Sequence, residues 1–174
     1  SKQGIIFQEL PVNYCRSRYS VGHTPIIELN MKYFVISDIH GNYEKFKSIL
    51  SQISFRESDV MYILGDILDY GEESMELIAD LSIRLNVYPI AGERDFLAAR
   101  MLRGFSKMLK SGAAPDADYI AEMTAWVQDG GQATLSAFRE LSEDEAARLS
   151  QRIARIEKGS IMFIMSKRWR TYDH

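Results

Sequence analysis

Two stretches of this chain carry residues that could do chemistry: Ser37-Asp38-Ile39-His40-Gly41-Asn42 and Gly65-Asp66-Ile67-Leu68-Asp69-Tyr70-Gly71. Each follows a short apolar run, Tyr33-Phe34-Val35-Ile36 and Val60-Met61-Tyr62-Ile63-Leu64, that reads as a buried strand. An Asp-x-His and a Gly-Asp thus stand at the C-terminal ends of two core strands. Carboxylate oxygens and an imidazole fixed on strand ends are the donor set of a divalent-cation site. Two adjacent strand ends would present Asp38, His40 and Asp66 to one pair of ions, with Asp66 placed to bridge them. Paired metals suit the hydrolysis of phosphate esters.

The elements that must position these residues alternate from Met31 onward. After the first loop, Asn42 can cap a helix whose Phe46, Ile49, Leu50 and Ile53 are spaced for one buried face. After the second loop, residues 72–85 read as a helix with Met75, Ile78, Ala79 and Leu81 in its stripe. A third strand, 87–91, leads into Gly92-Glu93-Arg94-Asp95 and a helix to about Lys110. Three strand–loop–helix units with their polar loops at one sheet edge describe an α/β fold that binds at the carboxyl ends of its strands. Beyond a loop at 111–117, helices are predicted over 118–128 and 133–138, separated by Gly130-Gly131. Ser142-Glu143-Asp144-Glu145 opens a further helix running to Glu157, and Gly159 to Met165 reads as a strand. Residues 1–30 fit two short strands or an extended arm, around Gly4–Phe7 and Thr24–Leu29.

As a set these blocks resemble the calcineurin-like metallophosphoesterases, within the branch of Ser/Thr protein phosphatases and dinucleoside-tetraphosphatases. The family blocks are Asp-x-His-Gly, Gly-Asp-x-x-Asp-Arg-Gly and Gly-Asn-His-Glu/Asp. The first is complete at Asp38, His40 and Gly41. The second is present at Gly65, Asp66, Asp69 and Gly71, with Tyr70 in the Arg place. The third falls at Gly92-Glu93-Arg94-Asp95, with Glu93 for the Asn ligand and Arg94 for the catalytic His. Trp126 to Leu135 resembles a further Trp-x-x-x-Gly-Gly-x-x-Thr-Leu segment, so the resemblance runs from Met31 to about residue 140.

The resemblance implies a partial metallophosphoesterase sandwich whose second half is missing, with residues 1–30 as an N-terminal extension and 31–174 as the truncated domain. The extension could equally be an added arm, a read-through from another frame or an appended tail. The implied metal ligands are Asp38, His40, Asp66 and Glu93, for two divalent ions, Mn or Fe/Zn, and no organic cofactor. The implied catalytic residues are Asp69 and Arg94. Arg94 can stabilise phosphate charge through a bidentate fork but cannot donate a proton at neutral pH. Tyr70 offers one hydroxyl where the family has that fork, so substrate binding should weaken. Glu93 adds negative charge that holds a cation and repels an anion. General acid catalysis is worth about 10²–10⁴-fold, so loss of the His predicts weak turnover. Two further metal-binding histidines belong to the family's downstream strands. Here only His23, His40 and His174 exist; His23 reads as a loop residue and His174 as a chain-end residue.

Composition bounds the rest. The 174 residues are 46% apolar and 26% charged, enough for one sizeable core. The net charge of −3 does not make nucleic acid the default partner, and Lys167 to Arg170 reads as a solvated basic terminus. A single Cys15 excludes an internal disulfide and fits a reducing compartment. No apolar run is signal-like or reaches about 20 residues, so neither export nor membrane spanning is expected, and a cytoplasmic protein is the natural reading. Two functions compete. One is a phosphatase of reduced activity acting on phosphate monoesters or phosphoproteins or, as the resemblance implies, dinucleoside polyphosphates, its missing ligands supplied by a partner subunit or by homo-oligomerisation. The other is a catalytically inactive descendant that binds a partner or itself through the sheet face its missing half leaves open.

Overall fold

The computed structural model describes residues 5–10, 31–112 and 114–168, with side chains as far as residue 160. Period-two alternation makes β2 (Tyr33–Ser37) and β3 (Val60–Leu64) two-faced strands. Phe34, Ile36, Met61 and Ile63 enter the core at 0–1% exposure. Burying each such side chain contributes about 1.5–3 kcal/mol. β4 (Val87–Ile90) joins them in a parallel trio, with Phe34 opposite Met61 and Met61 opposite Val87. β1 (Ile6–Leu10) lies antiparallel along the other edge of β2, giving the order β1-β2-β3-β4. Its Phe7 stacks on Phe34 at 5.6 Å between ring centres. One strand of the 1–30 segment therefore belongs to the sheet. The second one expected there, together with Cys15 and His23, lies outside the described residues, as does His174.

Helices bury one face of the sheet. α1 (Tyr43–Gln52) contributes Phe46 and Leu50, and α2 (Ser74–Leu81) contributes Met75, Leu77, Ile78 and Leu81. α2 is shorter than the predicted 72–85. Its apolar stripe ends at Leu81, and Ile83 and Leu85 stand exposed, so no buried side chain anchors another turn. α3 (Glu93–Ser111) and α4 (Ala117–Trp126) follow, then a turn over Val127–Gly131 and α5 (Gln132–Arg139). Asp129 and Gly130 leave helical geometry within that turn, as the glycine pair predicts.

α6 (Glu143–Arg168) overturns one expectation, because residues 159–165 are helix and not strand. The reason is tertiary. Leu149, Ile153 and Ser160 extend one buried stripe at helical spacing. The Ser160 hydroxyl donates to Ile156 O at 2.6 Å and accepts from Ala91 N at 2.7 Å, satisfying the amide just past β4. Asn42 departs from expectation too. It precedes α1, but its amide donates to the Ile39 and His40 carbonyls, at 2.8 and 2.9 Å, and caps no helix N–H. It fastens the first loop instead.

The opposite sheet face carries Val35, Tyr62, Leu64 and Tyr88, and no helix covers it among the described residues. Tyr62 and Tyr88 stack on it at 5.5 Å, and Leu64 and Tyr88 are about half exposed. Among the described residues, no helix is long and apolar enough to cross a membrane.

Candidate metal centre

The three parallel strands end at one edge, and the turns after them hold the polar motifs. Backbone hydrogen bonds lace the first two turns together. His40 N donates to Asp66 O at 2.9 Å, Gly41 N to Ile67 O at 2.8 Å, and Gly71 N to His40 O at 2.9 Å. The approach is close enough that a Cβ on Gly71 would lie 2.3 Å from His40 O, so only glycine fits there. Asp38, His40, Asp66, Asp69 and Tyr70 all adopt left-handed φ between 50° and 70°. Ser54 is the one other non-glycine residue to do so among the described residues. Each such conformation costs about 1–2 kcal/mol and persists because the interlaced loops over-determine it. Strain concentrates on the motifs that carry the chemistry.

His40 is the centre of the site. Its ring is buried, and Nδ1 lies 3.3 Å from Leu68 O. A carbonyl can only accept, so the neutral ring carries its hydrogen on Nδ1 and leaves a lone pair on Nε2. That lone pair has no hydrogen-bond partner. It faces Asp66 Oδ2 at 3.5 Å and Asp38 Oδ1 at 3.9 Å. Three electron-rich atoms turned toward one point repel one another unless a cation sits among them. Ligand atoms of Asp38, His40 and Asp66 lie within 4.8 Å of each other, the one such group among the described residues. Leu68 O is the outer partner that fixes the imidazole for ligation. Ser37 Oγ donates to Asp38 Oδ2 at 2.5 Å and orients that carboxylate. Hard oxygens plus one imidazole fit a divalent cation.

Glu93 stands elsewhere. It is the first residue of α3, exposed, and outside the group formed by the other three predicted ligands. Asp69 is also not an open catalytic group. Its side chain is 0% exposed, and Oδ2 accepts from Arg94 Nη1 at 3.1 Å and Trp126 Nε1 at 2.8 Å. Its own amide donates to Thr134 Oγ1 at 2.9 Å. Asp69 is thus a positioning residue, and Arg94 is its counter-ion. Arg94 also reaches Asp129 and the Tyr70 hydroxyl, and its guanidinium lies 4.6 Å over the Tyr70 ring. Tyr70 in turn meets His40 edge-on at 4.9 Å. A Cβ on Gly130 would strike the Tyr70 ring at 2.3 Å, which explains a glycine at that place.

The site roles of Trp126, Thr134, Asp129 and Asp95 are not legible in the sequence. Trp126 and Thr134, 57 and 65 residues from Asp69, hold it from behind. The Trp-Gly-Gly-Thr-Leu pattern was their one signal, and its role emerges only in three dimensions. Asp95, in the first turn of α3, accepts from Gly92 N at 2.8 Å. Its other oxygen reaches across to the amides of Ile67 and Leu68, at 2.9 and 3.0 Å. It thereby ties the third loop to the second. Replacing Trp126 by Phe keeps the buried ring but strips a charge-assisted bond from Asp69, and should cost about 2 kcal/mol in denaturant unfolding.

Residues 31–156 match the model of a family described as calcineurin-like phosphoesterase. Among curated proteins, symmetrical bis(5'-nucleosyl)-tetraphosphatases are similar. That of Wigglesworthia glossinidia brevipalpis is 31% identical over 37% of this chain and 25% of its own length. That of Buchnera aphidicola subsp. Acyrthosiphon pisum is 37% identical over 37% of this chain and 24% of its own. That of Erwinia tasmaniensis is 27% identical over 56% and 38% respectively. The chain thus spans about a quarter to two fifths of the relatives' length. A solved structure assigned to a diadenosine tetraphosphatase aligns over 52% of this chain and 40% of that one, at 24% identity and a TM-score of 0.38.

Proposed function

Because the chain belongs to the calcineurin-like phosphoesterase family, we propose that it hydrolyses phosphate esters with a divalent metal, at a rate below that of an unaltered member. One observation carries the reading: the unpaired His40 Nε2 turned toward the Asp38 and Asp66 carboxylates. Bound there, manganese, iron or zinc would polarise a phosphoryl oxygen and supply a nucleophile at neutral pH. Asp38 and Asp66 would neutralise the cation, while Leu68 O and Ser37 Oγ hold the His40 ring and the Asp38 carboxylate in place. The donor set serves one ion. A second ion would need ligands from outside the described residues or from a partner subunit. No proton donor stands where the family has its His, since guanidinium stays charged. That deficit lowers turnover by about 10²–10⁴-fold. The substrates proposed are phosphate monoesters and phosphoproteins. The names of the relatives support dinucleoside tetraphosphates among them.

The second reading, a binding or self-associating module without turnover, draws on the open sheet face. Leu64 at 50% and Tyr88 at 48% exposure are large apolar side chains on a face that is otherwise aromatic and aliphatic. Metal content separates the two readings. Manganese binding followed by electron paramagnetic resonance should saturate near one ion per chain, and His40→Ala should abolish it. Hydrolysis of p-nitrophenyl phosphate, a phosphopeptide and diadenosine tetraphosphate should then depend on that manganese. Absence of bound metal in the intact chain would favour the binding module.

A further inference from the structure

All four terminal N–H groups of Arg94 are already engaged. Nη1 donates to Asp69 Oδ2 at 3.1 Å and to Asp129 O at 2.8 Å. Nη2 donates to the Tyr70 hydroxyl at 2.8 Å and to the Asp129 carboxylate. These contacts differ in kind. Asp69 is wholly buried and also held by Trp126, so it stays. The Asp129 backbone lies in the turn whose next carbonyl, Gly130 O, accepts from Tyr70 N at 2.9 Å, so it stays as well. The Asp129 carboxylate is 72% exposed, and the ion pair with Arg94 is its one hydrogen-bonded contact among the described residues. It occupies the outer edge of a guanidinium that is itself only 17% exposed. An anionic oxygen approaching from solvent would meet Arg94 along that edge.

We propose that the Asp129 carboxylate is an internal stand-in for phosphate on Arg94, and that an incoming phosphate binds by displacing it. The proposal rests on the phosphoesterase reading of the same site. Tyr70 connects the two parts, with its ring edge-on to the ligand His40 and its hydroxyl and face on Arg94. The cation absent from position 70 therefore reappears one ring-width away, held closed by Asp129. One guanidinium shared between two carboxylates offers a ligand no net positive charge. Removing the exposed carboxylate takes the cluster from one net negative charge to none and opens the outer edge of the guanidinium to another anion. The cost of displacement makes Asp129 a specificity-determining residue, since ligands with a single weak charge compete poorly against a preplaced carboxylate.

The test is inorganic phosphate binding to the manganese-loaded protein by isothermal titration calorimetry. Asp129→Asn keeps both backbone contacts and should tighten the phosphate Kd about tenfold, a gain of about 1.4 kcal/mol. Adding Arg94→Gln to Asp129→Asn should erase the gain, while Asp129→Glu should retain wild-type affinity. An unchanged Kd in Asp129→Asn, with manganese bound normally, overturns the displacement proposal and leaves the phosphoesterase reading standing. Failure of the wild type to bind manganese overturns that reading and this proposal with it.

Discussion

Asp66→Asn should lower manganese-dependent turnover of p-nitrophenyl phosphate about a thousandfold or more while leaving the chain folded. Asp66 offers the carboxylate nearest His40 Nε2, at 3.5 Å. Metal-borne charge stabilisation is worth several kcal/mol in the transition state. At about 1.4 kcal/mol per tenfold, losing about 4 kcal/mol gives the thousandfold effect. The fold does not depend on this side chain. Asp66 O still receives His40 N in the variant, and the carboxylate is 40% exposed. Removing one of two neighbouring carboxylates even relieves repulsion in the metal-free protein, so its Tm should hold or rise slightly. Paired measurements of turnover and Tm check both halves. Turnover that survives Asp66→Asn would place the chemistry elsewhere.

Asp95→Ala should be among the most destabilising single changes in the chain, at about 3–6 kcal/mol. Three amides, of Gly92, Ile67 and Leu68, lose their acceptor in a site only 4% exposed. Each orphaned buried N–H costs about 1–3 kcal/mol, against a total stability of about 5–15 kcal/mol. The loss carries a pH signature. Burial pushes the Asp95 carboxyl up to about 6 from its ordinary value of 3.8, against the three amides that pull it down. The folded protein therefore binds the proton more tightly than the unfolded chain. Stability from this shift is full below pH 3.8 and is lost as the pH rises through about 6. The variant lacks that component, so the gap between wild type and Asp95→Ala should be wider at pH 5 than at pH 8. Denaturant titrations at the two pH values check the sign, and a gap that widens with pH contradicts it. Because Asp95 also pins the second loop, metal affinity should fall in the variant even where it remains folded.

The readable part of the site was the part that is local. Asp38 and His40 share one turn, Asp66 begins the next, and each follows a strand whose alternation is plain in the sequence. A ligand set of that kind follows from strand ends lying side by side. Glu93 occupied the corresponding place after β4, yet it opens α3, is exposed and lies outside the group that Asp38, His40 and Asp66 form. A frame of residues fixes where a side chain starts, not where the helix beneath it points. Asp69 and Arg94 looked like free catalytic groups because their partners are far away in the chain. Trp126, Thr134 and Asp129 arrive only when the turn before α5 folds back over the second loop.

The segment 159–165 shows the same limit from the other side. A glycine followed by apolar and β-branched residues has the composition of a strand, but that preference is weak and yields to packing. Ser160 continues the buried stripe of Leu149 and Ile153 on α6, and its hydroxyl accepts from Ala91 N, 69 residues away in the chain. By itself the sequence determined the strand–loop–helix units, the family and the grouping of Asp38, His40 and Asp66, because each depends on short-range spacing. Only the tertiary structure decided the tautomer and unpaired face of His40, the burial of Asp69 and the engagement of Arg94. Those depend on which carbonyls and carboxylates the fold brings within 4 Å, and chain spacing carries no record of that.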